Sequence, residues 1–283
     1  MTDLSGRVCL VTGATRGIGR ETAEALAAMG ATILLHGRDP DAVDAACNDI
    51  KQACGNASVF GCIADFSSLA DLRRFASEIA QQHDQLDLLI NNAGTAIWNR
   101  TDTVDGFEWL FGVNHLAPFL LTNLLLDRLK ASAAARIVTV SSMAHVRARI
   151  DFDDLNWARR KYSGLGAYGA SKLANILFTS ELARRLEGTG ITANCLHPGV
   201  VATNIFSTMG ILGKAISVFA RPLLLSPAKG AETSIYLASS PEVADVSGKF
   251  FDKCKAVQPA ATARDTEAAR RLWDISEQMT GLR

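Results

Sequence analysis

Arg7-Val8-Cys9-Leu10-Val11-Thr12-Gly13-Ala14-Thr15-Arg16-Gly17-Ile18-Gly19 reads as a short apolar strand running into a glycine turn, and a helical pattern starts at once over Gly17 to Met29. Thr32 to His36 is a second β-branched run, so the first 36 residues form a βαβ unit. Outward from it the rhythm repeats. Helices are predicted from about Asp41, over Ser68 to Gln82, Val104 to Lys130, Ala167 to Leu186 and Ala228 to Leu237, with a last one over Thr266 to Thr280. Strands are predicted at Ala57 to Ile63, Leu86 to Ile90, Arg136 to Val140, Ile191 to Leu196 and Gly248 to Phe251. Parallel strands joined by helical crossovers follow from that alternation, giving an α/β, doubly wound, mainly parallel seven-stranded sheet with helices on both faces. No repeat, low-complexity tract or linker divides the chain, which is expected to be a single domain over 1–283. Three stretches break the rhythm: His145 to Gly166, Val200 to Leu225 and the tail from Ala256.

The composition narrows the function classes. The chain has 283 residues, and its 29 Lys+Arg balance 29 Asp+Glu, which argues against a dedicated nucleic-acid binder. At 48% hydrophobic and 20% charged it has ample apolar surface for a large core and is not a disordered chain. The N-terminus shows no basic and apolar leader, and no uncharged apolar run is long enough to span a bilayer, so the expectation is a protein without a transmembrane anchor. Six scattered cysteines with no C-x-x-C spacing fit a reducing compartment, most simply the cytoplasm. The five histidines form no pair suited to zinc, and no catalytic metal is expected; each histidine reads as a turn or core residue.

Glycines between strand and helix let backbone N–H groups approach a pyrophosphate, and the helix dipole favours its charge. A structural turn is the plain alternative. The second strand should end near the group that reads the adenosine ribose; it ends His36-Gly37-Arg38, with no acid at position 37. Arg38 and Arg16 could grip a 2′-phosphate, which predicts NADP, unless Arg38 merely pairs with Asp39 or Asp41 in solvent.

Tyr168 and Lys172 are four apart on a helical segment and so share one face, where the ammonium would lower the phenol's pKa and make Tyr168 a general acid/base; a surface contact is the bland reading. The strand Arg136 to Val140 runs into Ser141-Ser142, a hydroxyl at the sheet edge where ligands bind. Asn91-Asn92-Ala93-Gly94 ends the fourth strand in the same position, either as part of a site or as a polar turn. Asn114 is an amide inside an apolar stretch, which wants partners or caps a kink.

Taken in order, Thr12-Gly13-x-x-x-Gly17-x-Gly19, Asn91-Asn92-Ala93-Gly94, Asn114, Ser142, Tyr168-x-x-x-Lys172 and His197-Pro198-Gly199 resemble the short-chain dehydrogenase/reductase family, and the resemblance covers essentially the whole chain. It implies the Rossmann fold and a nicotinamide-dependent hydride transfer. Tyr168 would exchange the proton, Ser142 would hold the substrate oxygen, Lys172 would bond the nicotinamide ribose, and Asn114 would position a relay water. Gly13, Thr15, Arg16, Gly17, Ile18 and Gly19 match the family's cofactor cradle, with Asp65 and Phe66 at the adenine, Asn92, Ala93 and Gly94 on the adenosine side, and Pro198, Gly199, Val200 and Thr203 at the carboxamide. The choice of Ser142 over Ser141 comes from the family register.

The segment between Ser142 and Tyr168 is long, and Ile150 to Trp157, Ala167 to Phe178 and Ser247 to Lys255 look like the retinol dehydrogenase branch. That implies a lipophilic alcohol or carbonyl substrate, with carbonyl reduction the favoured direction. The apolar Val200 to Leu225 stretch would suit a substrate lid, a subunit contact or a peripheral membrane contact. A homodimer or homotetramer is implied by family analogy, through the helices over Val104 to Lys130 and Ala167 to Leu186. The competing function classes are a catalytically silent NADP-binding sensor, which would not need Tyr168 and Lys172, and a nucleotide-sugar epimerase or dehydratase, which would need a further substrate domain.

Overall fold

In the computed structural model, which describes residues 2–199 and 225–283, the apolar runs pair into one sheet of order β3-β2-β1-β4-β5-β6-β7-β8. Its strands are β1 (Val8–Val11), β2 (Thr32–Gly37), β3 (Val59–Ile63), β4 (Leu88–Asn91), β5 (Arg136–Val140), β6 (Thr192–His197), β7 (Phe250–Asp252) and β8 (Lys255–Val257). The first seven are parallel. The helices are α1 (Gly17–Ala28), α2 (Pro40–Cys54), α3 (Leu69–Gln82), α4 (Trp109–Phe111), α5 (Ala117–Leu124), α6 (Leu126–Lys130), α7 (Gly164–Arg185), α8 (Pro227–Ser239) and α9 (Thr266–Thr280).

Side chains that alternate along each strand separate into two cores. Cys9, Val11, Ile33, Leu35, Leu88 and Ile90 pack with Ala23 and Leu26 of α1, Val43 and Ile50 of α2 and Leu237 of α8. Leu10, Leu34, Leu89 and Ile137 point the other way, onto Phe75 of α3, Phe119 of α5, Phe178 of α7 and Trp273 of α9. Both faces of the central strands are therefore covered, which is why these read as unbroken apolar runs, while the edge strands β3 and β8 leave Phe60, Ile63 and Val257 exposed. The helix starts follow the expected capping chemistry: Asp39 and Ser226 each accept a first-turn N–H ahead of a proline at the first helical position, and Ser68 accepts from Asp71 N.

Three features differ from the sequence expectation. The predicted helix over Val104 to Lys130 begins only at Trp109, where buried Glu108 caps Leu110 and Phe111 N–H at 3.0 and 2.7 Å. It then widens into a π-helical turn, Gly112–Leu116, before α5, and breaks again at Leu125. Pro118 explains the widening, because it has no N–H for the carbonyl of Asn114 and its ring would strike that carbonyl in a regular α-helix. The seventh strand is shifted to Phe250–Asp252, and an eighth, antiparallel strand follows it. The two join through Lys253 and Cys254, both at positive φ (49° and 60°), a two-residue hairpin turn built without the glycine or asparagine that usually announces one.

α9 lies where its boundaries were predicted. It covers the outward side of α5 and α7: the Trp273 ring stands edge-on to Phe119 at 4.9 Å and stacks on Phe178 at 5.9 Å, with the Arg185 guanidinium 4.3 Å from its centroid. Among the described residues no helix is long and apolar enough to cross a membrane.

Candidate active site

The carboxyl ends of β1, β4, β5 and β6 carry the predicted motifs to one rim of the sheet, beside the point where the strand order reverses. At β1 the Thr12 hydroxyl donates to Ile90 O and accepts from Asn92 and Ala93 N–H at 3.0 and 2.9 Å, while Asn92 Nδ2 donates to Thr12 O and Gly13 O at 2.8 and 3.0 Å. Asn91 to Gly94 is thus bolted to the glycine turn, beyond what an ordinary polar turn would do. Gly13 has φ +63°, and a Cβ there would stand 2.8 Å from the Ala93 Cα. A Cβ on Gly19 would meet Gly13 O and the Asn92 amide. Only glycine permits both approaches.

Helix α1 starts at Gly17 with Arg16 as its extended cap residue; no side chain caps it and its first turn holds no acid. Its leading N–H groups and positive dipole end therefore remain for an anion, and a Cβ on Gly17 would meet open space. Thr15 and Ile18 are half-buried at this turn, and Arg16 and Arg38 are exposed. Neither arginine is ion-paired among the described residues, so Arg38 does not pair with Asp39 or Asp41. Turn, helix start and free guanidinium groups together fit the diphosphate and ribose of a dinucleotide. Asp65 accepts the Ser67 N–H at 2.9 Å. The Phe66 ring turns inward, leaving only its backbone for the rim.

The second half of the rim holds the titratable groups. Ser141 is buried, and its hydroxyl donates to Lys172 O at 2.7 Å. Ser142 is half-buried, its hydroxyl accepts the Ala144 N–H at 3.2 Å, and it stands close enough to the Tyr168 phenol to oppose the rise of that phenol's pKa. The structure thereby gives a physical reason to separate the two serines. Lys172 is buried and donates to Val140 O at 3.0 Å, with its Nζ 5.9 Å from the Tyr168 ring centroid. Asn114, in the π-helical turn, accepts Thr95 N–H at 2.8 Å and donates to Thr95 O and Ser171 Oγ at 2.9 and 3.1 Å, so it clamps the end of β4 to α7. Lys172 Nζ and Asn114 Oδ1 converge on Gly94, at 3.2 and 3.3 Å from where its Cβ would be.

The charge balance differs from the expectation of an acidified phenol. Burial pushes the Tyr168 pKa up, opposed by the Ser142 hydroxyl, and burial also brings the Lys172 ammonium down to about 8. Desolvation is the leading influence on both groups. Tyr168 is therefore a protonated phenol at neutral pH, a state fitted to donate.

Two histidines have positions that composition and spacing did not signal. His36 Nδ1 accepts the Gly13 N–H, and His145 Nδ1 donates to Ser142 O at 2.7 Å while its Nε2 accepts the Ala260 N–H. The insertion after Ser142 is self-bonded. The Asp154 carboxylate accepts the N–H groups of Ala158, Arg159 and Arg160, the Arg160 guanidinium lies 3.8 Å over the Trp157 ring, and the Tyr162 hydroxyl donates to Glu108 at 2.9 Å. Pro198 and Gly199 follow β6 at the rim. Val200, Thr203 and the rest of the predicted lid up to residue 224 lie outside the described residues. Among the described residues no group of three His, Cys, Asp or Glu side chains could hold a metal ion.

A doubly wound sheet with a glycine cradle and a serine, tyrosine and lysine on one rim defines an oxidoreductase built around a nicotinamide dinucleotide. The short chain dehydrogenase family model matches residues 7–210, and the chain belongs to that family, in the branch that resembles the retinol dehydrogenases. It is 49% identical to retinol dehydrogenase 13 of Homo sapiens over 284 residues, covering 99% of this chain and 86% of that relative. Among solved structures, an uncharacterized protein from Mycobacterium paratuberculosis is similar with a TM-score of 0.82 and 37% identity, covering 99% of this chain and 96% of the other. The RhlG/NADP active-site complex of Pseudomonas aeruginosa is similar with a TM-score of 0.71 and 28% identity, covering 88% and 95%.

Proposed function

We propose that this chain is an NADP-dependent reductase of lipophilic aldehydes or ketones that works in the cytoplasm. The observation that carries the reading is the Ser142 hydroxyl beside the half-buried Tyr168 phenol at the rim, with the buried Lys172 ammonium 5.9 Å from its ring. When bound, the dinucleotide supplies the hydride that reaches the carbonyl carbon. Ser142 holds the carbonyl oxygen and Tyr168 donates its proton to it, so the oxygen becomes the hydroxyl of the product alcohol. Lys172 stabilises the phenolate left behind, and its 4% exposure keeps water from screening that attraction. Asn114 holds the end of β4 against α7 and keeps one Oδ1 lone pair for a relay water.

The choice of NADP is supported by Arg16 and Arg38, exposed and free of ion pairs among the described residues, and by the NADP complex of the Pseudomonas relative. The lipophilic substrate class is supported by the name of the human relative. Any homodimer or homotetramer would use a face other than the sides of α5 and α7 that α9 covers.

The test follows absorbance of the reduced nicotinamide with aldehydes and ketones of graded size, with NADPH and with NADH, in the parent protein and in Tyr168→Phe. Tyr168→Phe should lose about 100-fold or more in turnover while NADPH binding, followed by fluorescence, persists. Retained turnover refutes the proton-transfer role, preference for NADH refutes the role of Arg38, and a parent kcat/KM that does not rise with the apolar size of the substrate refutes the lipophilic class.

A further inference from the structure

We propose that His36 is a positioning residue for the dinucleotide, joining the glycine turn after β1 to the loop after β3 and so holding both sides of the adenosine half of the cleft. This rests on the reading above, in which the dinucleotide lies across the glycine turn with its adenosine end beside β2.

His36 is buried in β2 and bridges its two neighbours. Its Nδ1 accepts the Gly13 N–H at 3.1 Å and its Nε2 stands 3.1 Å from Ala64 O. A carbonyl can only accept, so Nε2 carries the proton, which leaves Nδ1 bare for Gly13. Each partner thus fixes the tautomer the other requires. Burial brings the pKa down to about 4, keeping the ring neutral under ordinary conditions. The ring stacks on Phe66 with centroids 4.2 Å apart, and the Ala14 N–H donates to His36 O at 2.8 Å.

The consequences reach both sides of the cleft. Gly13 and Ala14 turn their N–H groups inward onto residue 36, which fixes the direction in which the following turn presents its own N–H groups at α1. On the other side, Ala64 is held at the start of the Asp65-Phe66 loop, whose Asp65 N–H is in turn bound by Asp71 at 2.6 Å. Ser142 follows β5, and Tyr168 and Lys172 sit on α7, away from this bridge, so a change at His36 should act on dinucleotide affinity and leave the chemical step alone.

Three variants separate hydrogen bonding from packing. His36→Leu fills the space with no polar atom. His36→Asn places an amide oxygen where Nδ1 stands and can still accept from Gly13. His36→Gln reaches towards Ala64 O but offers nothing at the Nδ1 position. Affinity for NADPH is read from nicotinamide fluorescence and affinity for adenosine 2′,5′-bisphosphate by competition, alongside kcat at saturating NADPH. His36→Leu and His36→Gln should weaken both ligands about tenfold, with kcat changed less than about twofold, while His36→Asn recovers most of the affinity. Equal weakening in Asn and Leu, unchanged affinity in all three, or a fall in kcat at saturation would overturn the proposal. If the parent protein itself binds neither ligand, the dinucleotide reading fails, and the His36 proposal fails with it.

Discussion

Replacing Lys172 with methionine should make the protein more stable while removing its activity. Methionine keeps the unbranched shape of lysine without the charge. The buried ammonium titrates near 8, well below the ordinary lysine value, and that displacement corresponds to roughly 3 kcal/mol of destabilisation when the group is charged. Losing the bond to Val140 O forfeits about 1 kcal/mol, because Asn175 Nδ2, at 3.5 Å, is too distant to replace it fully. The net gain should be about 2 kcal/mol, or roughly 3 °C in Tm for a chain of this size. The sign has a pH signature. Below pH 8 the lysine is charged in both folded and unfolded chains and the penalty is complete. Between pH 8 and the ordinary lysine value near 10.4 the folded state sheds its proton first and the penalty fades. Urea unfolding of the parent and Lys172→Met at pH 7 and pH 10 measures the gap, which should be wide at the first and narrow at the second. A variant less stable at pH 7, or a gap that does not change with pH, refutes the reasoning.

Acid should unfold the protein through its buried histidines. Burial holds His36 at about 4 and His115 at about 3, below their unfolded value, so the stability they carry is intact above pH 6.5 and is lost as pH falls towards 4. His115→Leu should remove about 1.4 kcal/mol per pH unit from that slope, read from urea midpoints between pH 6.5 and 4.5; an unchanged slope sinks the assignment. Trp273→Ala should cost about 3 to 5 kcal/mol and free α9 to exchange its amide hydrogens, whereas a loss below about 1 kcal/mol would mean that the Phe119 and Phe178 contacts matter little. Gly19→Ala should weaken NADPH binding by about 1 to 3 kcal/mol, because its Cβ must displace Gly13 O or the Asn92 amide. Normal affinity, measured by fluorescence titration, would show that the turn gives way freely.

The central strands were legible in the sequence because both their faces are buried, which writes each as an apolar run, and because the glycine turn and the serine–proline and aspartate–proline caps punctuate the helices. The rim was legible where one residue type serves one purpose: Tyr168 and Lys172 share a helix face by spacing alone. What escaped depends on geometry between distant segments. The hairpin at Lys253 and Cys254 uses positive φ without the residues that favour it, and a three-residue strand leaves no period to read. The division of Val104 to Lys130 follows from Pro118 and from Glu108 acting as a cap, two local signals lost inside a strongly apolar stretch. His36 looked like a core residue because nothing in its neighbourhood along the chain reveals that Gly13 and Ala64 stand on either side of its ring. The lowered phenol pKa expected from the Tyr168-x-x-x-Lys172 spacing ignored desolvation, which only burial in three dimensions exposes.

The placement of Trp273 has a bearing on synthesis. It follows Leu10 of the first strand by 263 residues, yet the two are buried in the same core. The nascent polypeptide can pair its early strands while still attached to the ribosome, but that core stays open until α9 has emerged. Closure therefore waits on the docking of α9, and until then Phe119 and Phe178 are the groups left exposed to aggregation or chaperone capture.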